Sequence, residues 1–373
     1  MRSRVAIWCL AVAILGWCDS ALAQKSGGAL RIFHRDNPTS ASILEETASS
    51  TVVAFMPVFN NLVMFDPAAA QNTPESIIPD LAESWRWNDD KTELTFKLRK
   101  GVTWHDGFPF TSSDVECTFN LWTGRARNKL RSNPRGAWFG NINFVHAPND
   151  YEVTIHLNRP QPALLSMLAS GFSPIYPCHV PLAQMRTKPI GTGPFKLDSF
   201  SQFDRIRLVR NPRYWKEGRP FLDAIEFSVV TSRSTALLSF VAGRYDMTFP
   251  NDVTMAQLRD VRRQSPRVQC EATGMNNNTN LMLNRDAPPF NNPDIRRALA
   301  LALDRNAFME ALTDASGAIG GHLQPPPDGL WGMSAEALAS VPGFGEDIEK
   351  NRETARALMR KAGYGPDRAL PLK

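Results

Sequence analysis

The sequence predicts an α/β fold with an irregular order of elements, and three observations carry that reading. Strict alternation of apolar and polar residues marks half-buried strands: Leu94, Phe96 and Leu98 face one way, Thr95, Lys97 and Arg99 the other. Helix-start chemistry recurs between such segments, at Thr111-Ser112-Ser113, at Ser232 and at Asn292-Pro293. Strands and helices mix along the whole chain, and no internal repeat is present.

In order, residues 29–33 read as a first strand, 51–59 as a helix by apolar spacing, 62–65 as a short strand and 67–79 as loop. Residues 83–87 and 92–98 flank Asn88-Asp89-Asp90, whose turn-forming side chains predict a hairpin. A helix capped by Thr111-Ser112-Ser113, with Asp114 in its first turn, runs to Trp122. Residues 151–157 form a strand and 162–168 a short helix, followed by a loop carrying Pro174, Pro177 and Pro181. Residues 205–209 and 225–230 are strands. Ser232 caps a helix ending near Gly243, and 254–264 are helical. Residues 280–283 read as a strand. Asn292 and Pro293 open what should be the longest helix, through Leu312; Pro325-Pro326-Pro327 is a rigid loop; a last helix over 347–362 stops at Gly363.

The chain has 373 residues, 43% hydrophobic and 21% charged, the composition of a globular protein large enough for two domains. Its start is different in kind. Arg2 and Arg4 precede an apolar run over residues 5–17, and Ala21-Leu22-Ala23 supplies small residues where a signal peptidase reads. A secretory signal with cleavage before Gln24 is expected, and the mature protein is then soluble and periplasmic. The run is too short to span a bilayer, which takes about 20 residues. Cys18 follows Trp17 rather than a small residue, which argues against a lipid anchor. The net charge of +5 becomes +4 once Arg2, Arg4 and Asp19 are set aside. The denser basic stretches, 125–135 and 259–267, read as solvated faces and give nucleic acid no support. Cys117, Cys178 and Cys270 remain in an oxidising compartment. Either Cys117 pairs with Cys178 and a free thiol is left, or all three are buried thiols.

Catalytic chemistry finds no foothold. His34, His105, His146, His156, His179 and His322 include no two spaced three or four apart, and HExxH, GxSxG and P-loop patterns are missing. No histidine or methionine cluster suits a bare metal ion, so neither metal nor cofactor is expected. His105 beside Asp106 reads as a hydrogen-bonded turn rather than a reactive pair.

Several blocks carry a resemblance: Pro79-Asp80-Leu81-Ala82-Glu83-Ser84-Trp85; Leu98 through Gly107 with Trp104-His105-Asp106; Pro109-Phe110-Thr111; Pro189-Ile190-Gly191-Thr192-Gly193-Pro194-Phe195; and Arg210-Asn211-Pro212-Arg213-Tyr214-Trp215. Gly243-Arg244-Tyr245-Asp246, Pro288-Pro289-Phe290 and the segment 294–305 continue the series. In this order and spacing they resemble the family 5 solute-binding proteins, the receptors of peptide, oligopeptide and nickel ABC importers. The resemblance covers essentially the whole mature chain. It implies a two-lobed, periplasmic-binding-protein-like fold of the large peptide-binding class (type II). The expected layout is a signal peptide over 1–23, a first lobe over 24–268 with a subdomain inserted at about 60–190, and the N-terminal part of a second lobe over 269–373. Relatives continue beyond the segment 358–364, so the second lobe is expected to be incomplete in a shortened chain. The aspartate that pairs with a peptide's amino terminus in relatives lies in that later part and maps onto no residue here.

What the resemblance implies for function is a monomeric receptor without enzymatic activity. It would bind a small peptide between its lobes, close on it and deliver it to membrane permease subunits and their ATPase. Ligand contacts are expected from Asn276, Asn277 and Asn280 (with Asn278 between), whose amides both donate and accept and whose alternative is a polar crossover loop. Glu45 and Glu46 are expected either to meet a ligand ammonium or to sit in a solvated loop. Asn60, with Asn61, either faces the cleft or caps a helix, and Trp331 either stacks on ligand or packs in the core. Trp104 and Trp215 read as core, and Gly191 and Gly193 as turn residues needing positive φ. Other cargo (a nickel chelate, an opine, a sugar, a haem-like ligand), a non-functional remnant and a secreted hydrolase are the alternatives.

Overall fold

A computed structural model describes residues 25–271, 280–313, 319, 333–344 and 347–371. The expected signal segment, Asn276, Asn277, Asn278, Pro325-Pro326-Pro327 and Trp331 lie outside the described residues.

The elements run β1 (Ala29–His34), α1 (Ser49–Phe55), β2 (Val63–Phe65), β3 (Ile77–Pro79), β4 (Ala82–Trp87), β5 (Glu93–Leu98), α2 (Ser112–Trp122), β6 (Ile142–Asn149), β7 (Glu152–Leu157), α3 (Leu164–Ala169) and α4 (Leu182–Met185). They continue through β8 (Phe195–Ser201), β9 (Arg205–Arg210), β10 (Ala224–Val229), α5 (Arg233–Val241), α6 (Met255–Gln264), α7 (Pro293–Ala302), α8 (Arg305–Thr313), α9 (Ala335–Ala339) and α10 (Ile348–Lys361). One sheet has the order β1-β10-β9-β8, with β1 and β10 parallel and the other pairs antiparallel. A second, antiparallel sheet has the order β4-β5-β7-β6, and β2 pairs with β3. One apolar core joins these sheets to α1, α2 and α3, with Phe55, Phe96, Trp104, Trp122 and Phe139 among its buried rings. Further along, α7 packs on α10 through a small separate cluster of Ala298, Leu301 and Ala355.

Local signals place several of these elements. Thr111 and Asp114 form a capping box at the start of α2. The Asp114 carboxylate also accepts from Trp104 Nε1 at 3.1 Å and from the Cys178 backbone at 2.9 Å, so one acid joins a helix start, a core indole and a distant loop. That loop position brings Cys178 to Cys117, and the two form a disulfide; Cys270 is a half-buried free thiol.

Other expectations are corrected. The loop expected over 67–79 contains β3, and β6, β8 and α4 supply elements that were not expected. Residues 280–283 are not a strand: Leu281 and Met282 are 64% and 90% exposed, and no strand pairs with them among the described residues. The long helix from Pro293 breaks in two because Leu303 turns to extended backbone (ψ 116°). Asp304 then starts α8 by accepting from the Ala307 amide at 3.0 Å. Arg305 Nη1 covers the carbonyls of Ala300 and Leu303 exposed by the break and also reaches Gly343 O at 2.6 Å.

Gly191 and Gly193 are required for room and not for positive φ. Neither adopts positive φ, and a Cβ on them would lie 1.8 Å from Val58 O and 2.4 Å from Val58 C. The turn they form is tied on all sides. Gly193 N donates to Val58 O at 2.9 Å, and Asn211 Nδ2 donates to Gly193 O at 3.1 Å. His105 Nε2 donates to the same oxygen at 3.0 Å, while its Nδ1 accepts from Gly191 N at 3.3 Å. His105 therefore belongs to a buried hydrogen-bonded turn. Burial first, then the nearby Lys196 and Arg213 cations, pull its imidazolium down to about 4 against the Gly193 hydrogen bond and Asp106, which oppose them.

Three outcomes follow from these contacts. Gly193→Ala should cost ~3 kcal/mol of stability, since backbone and not a flexible side chain opposes the added methyl; an unchanged melting temperature would refute the close-approach account. Because the folded His105 value lies below the ordinary 6.5, its neutral form is favoured by folding. That contribution, ~3 kcal/mol, is complete above about pH 6.5 and is lost as pH falls through about 4. Melting curves of wild type and His105→Asn across this window should differ in slope, and parallel slopes would contradict the assignment. Opening the Cys117–Cys178 bond, which spans 61 residues, in a Cys117→Ser/Cys178→Ser variant should lower stability by ~4 kcal/mol on the loop-entropy account. Equal denaturant midpoints would argue that the bridge constrains nothing.

Candidate functional site

Parallel strands end on the same side, and in α/β sheets the crevice beyond their carboxyl ends is where ligands collect. Here that position lies after His34 of β1 and Val229 of β10, which are paired in register. From it the chain leaves into the loop 35–48 on one side and into Ser232 and α5 on the other. His34 is fully buried and fastens the loop: Nδ1 lies 2.6 Å from Asp36 O, Nε2 lies 3.0 Å from Ser50 O, and the ring meets Phe249 edge-on at 4.8 Å. Arg35 stacks over Phe249 at 5.4 Å. The buried Asp252 carboxylate lies 3.1 Å from Arg233 and 3.9 Å from Arg35. At the C-terminal end of α5, Phe240, Tyr245 and Asp246 line an open groove of about 730 Å³ together with Ser265 and Gln269.

The loop 35–48 carries Glu45 and Glu46, and the structure gives both carboxylates partners. Arg186 grips Glu45 with Nε at 2.7 Å and Nη2 at 2.9 Å, and the Arg131 amide donates to it at 2.6 Å. Its side chain has no exposure at all. Burial alone would raise this carboxyl, but the Arg186 and Arg131 bonds outweigh burial and hold it below the usual carboxylate range. Glu46 accepts from Arg131 Nη2 and Thr39 Oγ1, both at 3.2 Å. Glu45 is thus neither solvated nor open to an ammonium in this conformation. It anchors the loop to α4.

The basic stretch 125–135, expected to be a solvated face, is corrected at its end. Arg135 is 4% exposed, donates to Ile43 O at 3.0 Å and stacks 4.2 Å from the Phe172 ring. Under the same loop Tyr176 stacks on Phe59 and receives the Leu44 amide at 3.4 Å, and burial pushes its hydroxyl up to about 12.

Asn60 sits in a buried polar knot instead of capping α1. Its Nδ2 donates to both Asp80 oxygens, at 3.1 and 3.0 Å, and to Tyr214 at 3.3 Å. Its Oδ1 accepts from Thr192 at 3.1 Å and Trp215 Nε1 at 3.4 Å. Lys216 completes the knot 2.6 Å from Asp80, whose carboxyl burial pushes up against that cation. Trp215, expected as core, is half-buried with Arg99 and Lys216 over its ring. Asn280 is exposed in irregular backbone. The structure therefore gathers Glu45 and Glu46 at one loop, keeps Asn60 in a separate buried knot, and adds Arg135, Arg35 and Asp252, which sequence reasoning missed. The one signal for Arg135 was its place in a basic run next to Gly136-Ala137-Trp138-Phe139.

Comparison with known proteins follows this geometry. Residues 76–370 match the family described as bacterial extracellular solute-binding proteins, family 5 Middle. The chain is 28% identical over 358 residues to the probable di/tripeptide-binding protein 5 of Pseudomonas aeruginosa, covering 89% of this chain and 65% of that one. It is 29% identical over 331 residues to the heme-binding protein A of Haemophilus influenzae, covering 82% and 56%. Among solved structures, the periplasmic binding protein DppA of Helicobacter pylori in complex with the peptide STSA shares the fold. The TM-score is 0.78 at 23% identity, over 91% of this chain and 67% of that one. The chain thus spans 56–65% of the length of these two curated relatives, and its architecture is that of the two-lobed periplasmic binding proteins. The chain belongs to family 5 of the bacterial extracellular solute-binding proteins.

Proposed function

We propose that this chain is the solute-binding component of an ABC importer, that its solute is a small peptide, and that it hands this solute to membrane permease subunits served by a cytoplasmic ATPase. The observation that carries the reading is the family match across 76–370, which takes in β10 and α5 on one side of the crevice and most of the remaining chain. Relatives described as di/tripeptide-binding and dipeptide-binding favour peptide as cargo. In this reading the protein is exported, cleaved before Gln24, free of a lipid anchor and monomeric, and it performs no chemistry on its solute. The first lobe takes residues 24–268, with a subdomain at about 60–190, and the second begins at 269. Asn276, Asn277, Asn280 and Trp331 serve the solute, while Glu45, Glu46 and Asn60 shape the wall behind it. Binding energy shifts the protein toward the closed form that the permease recognises.

A non-peptide solute is the second reading, favoured by the similarity to a heme-binding protein and to a structure in complex with agropinic acid. Native mass spectrometry of the purified chain with an equimolar di- and tripeptide mixture separates the two. Retained peptides, recovered uncleaved, are the expected result. A chain with native circular dichroism that retains none of them, or that cleaves them, would remove the peptide-receptor proposal.

A further inference from the structure

One buried guanidinium has no anion among the described residues. Arg135 is 4% exposed, and its hydrogen bond is a single one, from Nη1 to Ile43 O at 3.0 Å. Among the described residues no carboxylate forms an ion pair with it. The acids nearest in the loop are already committed, Glu45 to Arg186 and the Arg131 amide, Glu46 to the Arg131 side chain. Three arginines thus meet two glutamates in this corner, and Arg135 is the one left over. Burial lowers its pKa to about 10, with the Tyr176 hydroxyl opposing, so the group stays cationic at neutral pH. An unpaired buried charge is costly to keep, and a purely structural role would be filled as well by an apolar side chain.

The surroundings suit a ligand better than a lattice of internal contacts. The fully enclosed side-chain atoms without partners are Asn61 Oδ1, Trp122 Nε1, Arg210 Nε and Asp252 Oδ1, among the described residues. Arg135 contributes none of them, so its unbonded N–H groups are not fully enclosed although the side chain is buried. One aromatic ring packs on the guanidinium and a second packs on the first. Phe172 lies under the guanidinium at 4.2 Å, and Trp138, 36% exposed, meets Phe172 edge-on at 6.1 Å. Ile43, whose carbonyl orients Arg135, lies in the loop that leaves the carboxyl end of β1. A planar guanidinium stacked on one aromatic ring, with N–H donors that the described residues leave unbonded, has the chemistry that takes a carboxylate attached to an apolar group.

We infer that Arg135, with Phe172 stacked on it and Trp138 packed against Phe172, is a binding site for a carboxylate carried by the solute, either a chain-terminal one or an acidic side chain. The inference rests on the receptor reading for the kind of solute, and the test separates the two. Calorimetry with the full chain would use Ala-Gln-Ala-amide, which has no carboxylate; Ala-Glu-Ala-amide, with one on the side chain; Ala-Gln-Ala with a free terminus; and tricarballylate. At least one carboxylate-bearing peptide should bind ten-fold or more tightly than Ala-Gln-Ala-amide, and which of the two does so identifies the source. Arg135→Met should abolish that preference without lowering the melting temperature, and Arg135→Lys should retain part of it. Binding of tricarballylate alone, lost in Arg135→Met, would support the site while removing peptide as cargo. Equal binding of all three peptides would overturn the site and leave the receptor reading standing. A preference that survives Arg135→Met, or no binding of any probe, would also overturn it. If Arg135→Met does not fold, the Arg135→Lys comparison decides: an undiminished preference for the carboxylate in a variant without the fork overturns the proposal.

Discussion

Parallel pairing of β1 with β10 is the constraint on which the rest depends. Ala29 lies opposite Ala224, so six residues near the start of the described chain hold the end of an excursion about 195 residues long. Closing so long a loop costs chain entropy that grows only slowly with length, but local propensity supplies none of it back. The reward is distributed over the large apolar core inside the excursion and over cross-links at its mouth. Gly28 N donates to Asp223 at 2.8 Å on one side of the pair, and Arg31 binds Asp246 at 2.7 Å on the other. Because the two strands run the same way, the crevice, the loop 35–48 and α5 all emerge at one end. The position of the candidate site is thus a by-product of strand direction.

What could be read beforehand was what neighbours in sequence decide. The Asn88-Asp89-Asp90 hairpin, the Thr111 capping box and the Gly363 stop, at φ +83°, each depend on residues within one turn of one another. The family resemblance added the lobed architecture. The missed strands fail for local reasons: β3 has three residues, β8 carries a register shift at Leu197–Ser199, and β6 contains Pro148 and two register shifts of its own. The break at Leu303 was hidden because the apolar spacing of α7 continues into α8, although Asp304 is a good helix-starting residue.

The site was less legible because it is electrostatic and assembled at a distance. Glu45 meets Arg186 across 141 residues, and Asn60 meets Trp215 across 155. Charge in a sequence reads as surface, since most charged side chains are solvated. Glu45, Asp80 and Arg135 are exceptions of different kinds. The first has two arginines, the second a lysine and two asparagines, and the third has only a carbonyl and a ring. Composition cannot separate these cases. What separates them is which partner the fold brings within 3 Å.

The cystine between α2 and the proline-rich loop has a reach beyond its own neighbourhood. Cys178 lies eight positions before the arginine that holds Glu45, with α4 as the short rigid link between them. Reduction of the folded protein would release the tether on that link, and the buried acid of the 35–48 loop would feel the slack although no thiol comes near it. The redox state of this cystine is thereby coupled to how firmly the loop beside Arg135 is held.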